Sequence, residues 1–433
     1  MLSEDYLIEQ LNAPTKQERL MAITGLKKLM DDGFLEKPAR AEDINNHIHT
    51  TYSFSPYSPS KAVWRAYTAG LCTAGIMDHD SVGGAEEFIE AGKIVDLPIT
   101  VGMEMRVDFS KTPLNGRRIN NPDQDSIAYM AIHGIPHTQL KRVAEFMQES
   151  RDKRNIRNER MVEVINMRFG KDGLELDFES DVKPLSLSHL GGSITERHLL
   201  FALAKKMCER FGRGQGVIDY LTDTMGIEVS EKLRGYLLDI ANPFYEYDLL
   251  GALKSDLSSI YIDADEECID VRDAVAFADS IGAISAYAYL GDVGHSVTGD
   301  KRAQAFEDSY LDQIFEVISE IGFKAVTYMP SRNTPQQLER LRALCEQYSL
   351  FQISGEDINS PRQLFICKAL QNPAYHNLVD SAWALIGHEL AATKNKEWGM
   401  FSQSSIQEYG SLDERIKFFG KLGRNPELIE SLG

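Results

Sequence analysis

Short apolar runs recur along most of this 433-residue chain, each ending in polar residues and giving way to a stretch with helical spacing. The runs are Ile44–His49, Thr73–Met77, Ile99–Met105, Ile284–Leu290, Ala325–Met329 and Leu350–Ser354. Between them lie the amphipathic segments Pro59–Ala69, Gly84–Gly92, Ala303–Ile321 and Pro335–Tyr348. Strand and helix alternating at roughly 25–35 residues per unit demand a parallel sheet, because each helix carries the chain back before the next strand begins. Such a sheet stays open or closes into a barrel, with functional residues at the carboxyl ends of its strands.

The rhythm fails between residues 139 and 250. LKRVAEFMQESRDKRNIRNERMVEVINMRFG reads as one long helical pattern rich in Arg, Glu and Asn. SITERHLLFALAKKMCERFG reads as another, opened by Ser193 or Thr195 as its N-cap. The expected organisation is therefore an α/β unit at 43–138 and 251–366, interrupted by a helical insertion at 139–250. Residues 1–42 form a helical extension whose pattern stops at Gly33, and 367–433 form a helical C-terminal segment.

A hydrophobic fraction of 43% is enough for a packed core and argues against disorder. The net charge of −19 lacks the basic footprint that duplex nucleic acid requires. A small anionic substrate is still compatible, since a metal or a few arginines can reverse the sign locally. No window approaches the ~18–20 apolar residues of a membrane span, and MLSEDYLIEQ lacks the basic-then-apolar order of a signal peptide. The five cysteines (72, 208, 268, 345 and 367) form no CxxC, so neither a disulfide framework nor a cysteine-based zinc site is expected. A cytoplasmic protein without membrane partners is the expectation.

Polar residues at strand ends carry the chemistry. His47 and His49 are two apart, so a strand turns both imidazoles to one side. Asp78 and His79 follow the apolar GIM, where a carboxylate beside an imidazole suits either metal binding or catalysis. Glu104 sits inside VGMEMR, where a carboxylate must be paired, protonated or metal-bound. Arg106, on the same face, offers an ion pair as a rival explanation. Asp357 repeats the pattern in ISGEDIN. His47, His49, Asp78, His79, Glu104 and Asp357 all fall at or just past the carboxyl ends of expected parallel strands, and two histidines with two carboxylates from among them would make a four-ligand set for Zn²⁺, Mn²⁺ or Fe²⁺.

These pieces resemble the PHP family, the polymerase-and-histidinol-phosphatase superfamily of metal-dependent phosphoesterases. NHIHTTYSFSPYSPSKAVWRAYTAGL, GIMDHDSVGG, VGMEMR, GAISAYAYLG and FQISGEDINS are similar to its HxH opening, TDHD turn, GxE strand, AHPG strand and GSDxH strand. RDKRNIRNERMVEVINMRFG and ITERHLLFAL resemble the helical subdomain of the branch that hydrolyses nucleotide phosphates and short oligonucleotides. The resemblance spans residues 43 to 366 and implies an α/β fold, a distorted (β/α)7 barrel with the helical insertion and helical termini. It also implies a first metal site at His47, His49, Glu104 and Asp357. In the family's second site His79 survives, while Phe54 and Asn359 stand at the other ligand positions; Tyr129 and Tyr289 stand in the third. One divalent transition metal per chain is the consequence. A metal-activated water then hydrolyses a small phosphorylated molecule, with a nucleotide among the options. His79, beside Asp78, serves as general acid, and Arg106, Arg332, Arg197 and His198 hold the substrate. The alternatives are a mononuclear metal hydrolase of non-phosphate substrates and a catalytically degenerate binding protein on the same barrel.

Overall fold

The computed structural model describes residues 2–292 and 306–432. His295 and the first three residues of the expected helical segment Ala303–Ile321 lie outside the described residues. The chain begins with α1 (Glu4–Gln10) and α2 (Lys16–Asp31), the latter opened by a capping box between Thr15 and Glu18. It continues through β1 (Ile44–Ile48), α3 (Pro59–Thr68), β2 (Thr73–His79), α4 (Ala85–Val95) and β3 (Ile99–Asp108). Ser58 caps α3, and Pro59 at its first position costs no hydrogen bond there. Arg19 of α2 is buried against Glu87 of α4, which fixes the N-terminal helices to the α/β unit.

After β4 (Ile127–His133) come α5 (Leu140–Phe146), α6 (Gln148–Phe169), α7 (Glu196–Phe211), α8 (Gln215–Asp219), α9 (Glu231–Leu238) and α10 (Tyr245–Leu253). Residues from α6, α7 and α10 build an apolar cluster of their own around Met161, Ile165, Leu199, Leu203 and Leu249. The chain then returns through β5 (Ile269–Asp270), α11 (Val271–Ile281), β6 (Ile284–Tyr289), α12 (Leu311–Ile321), β7 (Ala325–Tyr328), α13 (Pro335–Gln347) and β8 (Phe351–Ser354). It ends in α14 (His376–Lys394), α15 (Gln403–Glu408) and α16 (Leu412–Arg424). No described helix is long and apolar enough to cross a membrane.

Seven strands form a nearly closed barrel in the order β1-β2-β3-β4-β6-β7-β8, with β5 pairing β3 off that path. The expected parallel pairing holds for β1 with β2, β2 with β3, β6 with β7 and β7 with β8. The ring is drawn together where His49 N donates to Ile358 O and Ile358 N donates to His47 O. Two strands depart from the expectation: β4, and the two-residue β5 beside β3. IAYMAIH forms β4, antiparallel to both β3 and β6, and it needs no crossover helix, so strand-helix alternation does not announce it.

The two faces of the barrel sheet separate cleanly. Val101, Met103, Met105, Met130, Ile132, Tyr287 and Val326 pack outward among residues of α3, α4, α11, α12 and α13. Met77, Ala131, Ile284, Ala286, Ala325, Phe351 and Ile353 pack instead with Ala384 and Leu385 of α14 and Phe419 of α16. Glu389 of α14 accepts hydrogen bonds from Thr100 Oγ1 and Val101 N at the start of β3, so the C-terminal helices close the amino end of the barrel. The carboxyl end is left for polar chemistry.

Candidate metal centre

Five side chains meet at the carboxyl end of the barrel. His47 and His49 come from the end of β1, His79 from the end of β2, Glu104 from β3 and Asp357 from the loop after β8. His47 Nε2 and His49 Nε2 stand 3.2 Å apart. His49 Nε2 is 3.0 Å from Asp357 Oδ1, while Glu104 Oε2 is 3.3 Å from His79 Nδ1 and 3.6 Å from His47 Nε2. The donors make two overlapping triads, His47–His49–Asp357 and His49–His79–Glu104, each with all its atoms within 4.8 Å of one another. Three imidazoles and two carboxylates facing inward at such distances repel one another unless a cation or protons lie between them. Their N/O donor chemistry fits a divalent transition metal.

Burial pushes the Glu104 carboxyl up, yet His79, His47 and His49 outweigh it and hold its pKa down to about 2. Asp357 is likewise opposed by burial and held well below the ordinary range by His49. Asn359 donates to Asp357 Oδ1 at 2.5 Å and fixes its direction.

Two sequence expectations change here. Asp78 is not beside His79 in the site, because neighbours on a strand face opposite sides. Its carboxylate, fully buried, accepts from Thr50 N, Thr50 Oγ1 and Ser53 Oγ, each at 2.6 Å. Ser53 Oγ lies 3.3 Å from His49 Nδ1, so Asp78 holds the loop that orients a ligand. His79 stands inside the donor set, its Nδ1 3.3 Å from Glu104 Oε2, rather than apart from it as a free acid.

Arg106 also has a different place. It pairs with Glu196 and Glu267 and lies over the Tyr129 ring, so it is not turned to a substrate. Its partners belong to a buried lattice. Arg157 pairs with Glu196 at 2.5 Å and with Glu267 at 2.6 Å, and Arg154 pairs with Glu267 and Asp80. Arg151 donates to the Asp80 carbonyl. Sequence reasoning saw the Arg-rich stretch without seeing that Arg151, Arg154 and Arg157, at steps of three, share one helix face.

Arg197 follows Glu196 on the first turn of α7, and just ahead of that helix Ser193 Oγ donates to the His79 carbonyl at 2.6 Å, which seats this turn beside the end of β2. His198 completes the capping of that helix, Nδ1 accepting from Thr195 N, and its ring meets Phe54 edge-on. Arg332, in the loop after β7, donates Nε to Leu290 O at the end of β6. Tyr289 donates to Asp308 on the outer side of the sheet, whereas Tyr129 lies 6.2 Å, ring to ring, from His79. Phe54 packs with Phe201 and Tyr247, so an apolar wall occupies that position.

No family's sequence profile matches this chain. It is 33% identical over 63 residues to a 5'-3' exoribonuclease of Haemophilus influenzae, a stretch covering 14% of this chain and 23% of that protein. The chain thus spans about a quarter of the curated relative it matches. Two solved structures are similar. One, provisionally named a metal-dependent phosphoesterase from Bifidobacterium adolescentis, is 18% identical with a TM-score of 0.48, covering 78% of this chain and 96% of that one. The other, an amidohydrolase from Chromobacterium violaceum with bound sulfate and no metal, is 16% identical with a TM-score of 0.48, covering 75% and 90%. At these identities the chemistry of the site itself has to carry the functional assignment.

Proposed function

We propose that this chain is a metal-dependent phosphoesterase of the PHP type that hydrolyses a small phosphorylated molecule. The carrying observation is the convergence of His47, His49, His79, Glu104 and Asp357 from four strand ends onto one centre. A divalent transition metal bound there supplies a water of lowered pKa and a Lewis acid for a phosphoryl oxygen. His47, His49, Glu104 and Asp357 would hold it, with His79 as a fifth donor rather than an acid. Asp78 keeps the His49 loop in place through Thr50 and Ser53, and Asn359 orients Asp357. Arg197 is the substrate-facing cation, since a guanidinium offers phosphate oxygens a fixed donor fork and never loses its charge.

Under this reading residues 139–250 are an inserted unit that brings α7 and Arg197 to the barrel. The net charge of −19 favours a small substrate over duplex nucleic acid and is in keeping with a cytoplasmic enzyme. The test is a panel of phosphate monoesters, phosphate diesters, carboxyl esters and amides, run on protein purified without chelator. Turnover of phosphate esters, abolished by chelation and restored by Zn²⁺, Mn²⁺ or Fe²⁺, is expected. Turnover confined to carboxyl esters or amides contradicts the assignment.

A further inference from the structure

The buried arginine–carboxylate lattice lies against the metal centre in a regular way. Each of three site elements contributes its neighbour to it. Asp80 follows His79, Arg106 is two residues beyond Glu104 on the same strand face, and Glu196 precedes Arg197. Arg106, Arg154 and Arg157 face Asp80, Glu196 and Glu267, and every one of these side chains is buried or nearly so. These three guanidiniums face three carboxylates directly, and Arg151 adds a fourth beside them through the Asp80 carbonyl.

Glu196 has a particular position in this group. It is the first residue of α7, and its Oε1 accepts from both Arg106 on β3 and Arg157 on α6. One carboxylate therefore ties the start of the inserted helix to the barrel strand that carries Glu104 and to the long helix α6. Arg197 is the next residue, so any rotation or retreat of that first turn moves its guanidinium relative to His79 and Asp357. The lattice has also taken Arg106 out of play as a substrate ligand, while Arg197 stays on the turn that the lattice holds.

We propose that Glu196 is a positioning residue: by pinning the first turn of α7 to Arg106 and Arg157, it sets Arg197 against the metal centre to receive a phosphate group. This rests on the phosphoesterase reading. A residue that acts only through Arg197 has no effect once Arg197 is gone, whereas one that merely supports the fold acts independently of it.

The experiment measures inorganic phosphate binding by titration calorimetry to metal-containing protein purified without chelator. The proteins are the parent, Glu196→Gln, Arg197→Ala and the double variant, with metal content and thermal unfolding recorded alongside. Glu196→Gln is expected to weaken phosphate binding about tenfold, the scale of one charge-assisted hydrogen bond. Arg197→Ala should weaken it at least as much, and the double variant should bind no more weakly than Arg197→Ala alone. Additive losses, or a lowered melting temperature with unchanged phosphate affinity, overturn the proposal and leave the phosphoesterase reading standing. A parent that binds no phosphate overturns both. Should Glu196→Gln fail to fold, Arg157→Lys keeps the charge and loses the fork, and the same cycle with Arg197→Ala decides the matter.

Discussion

His49 belongs to both donor triads, and its own orientation depends on a residue that faces away from the site. Asp78 satisfies three buried donors in the loop after β1, so Asp78→Ala strands them and should cost about 3 kcal/mol of stability. Thermal unfolding checks this, and a variant within about 0.5 kcal/mol of the parent contradicts it. The sequence placed Asp78 next to a ligand. Only strand parity shows that it looks the other way, and parity was readable once β2 was taken to run through His79. Glu307 was not singled out at all, because no motif surrounds it. It is buried, accepts from Tyr287 Oη, Leu290 N and Gly291 N, and burial raises its pKa to about 8. An acid whose pKa is higher folded than unfolded binds its proton more tightly in the native state. Its contribution is full below the unfolded value and is lost as pH rises through the folded one. Stability should therefore fall between about pH 5 and about pH 8, and Glu307→Gln should flatten that slope in melting curves taken across the range. An unchanged slope in the variant contradicts the assignment.

Among the elements, α14 and α16 show the closest approach. A Cβ on Gly387 falls on the Phe419 carbonyl oxygen, and one on Gly423 falls on the Trp383 carbonyl oxygen. The helices cross backbone to backbone at these two glycines, and α14 in turn closes the amino end of the barrel through Glu389. Gly387→Ala should force them apart and cost about 3 kcal/mol, an overpacking penalty at the upper end of the usual range. Denaturant unfolding measures it, and a neutral or stabilised variant contradicts the packing. Neither glycine stands out in the sequence, since close approach is a property of two distant segments together. β1, β2, β3, β6, β7 and β8 were legible as short apolar runs set apart by segments of helical spacing, whereas β5 has only two residues. β4 was not legible either, because an antiparallel strand between β3 and β6 needs no crossover helix, and the turn signals Asn115-Gly116 and Asn121-Pro122 ahead of it do not by themselves announce a strand.

For the whole molecule, the barrel is closed at its amino end by α14 and α16, while its carboxyl end and the start of α7 meet at one polar centre. The acidic chain places its buried arginines in a lattice beside that centre. That His47, His49, Glu104 and Asp357 come together was legible because each lies within or at the end of an apolar run and is costly to bury alone. The lattice was not, because it pairs residues from β3, α6, α7 and the segment before β5, far apart along the chain. The central claim is that the two triads hold metal, and His49 is common to both. The most direct measurement is elemental analysis of metal per chain for the parent and for His49→Ala, both purified without chelator and shown to be folded. At least one transition metal per chain in the parent, lost from His49→Ala, is the predicted result. A metal-free parent, or a variant that keeps the parent's full metal content, contradicts the account.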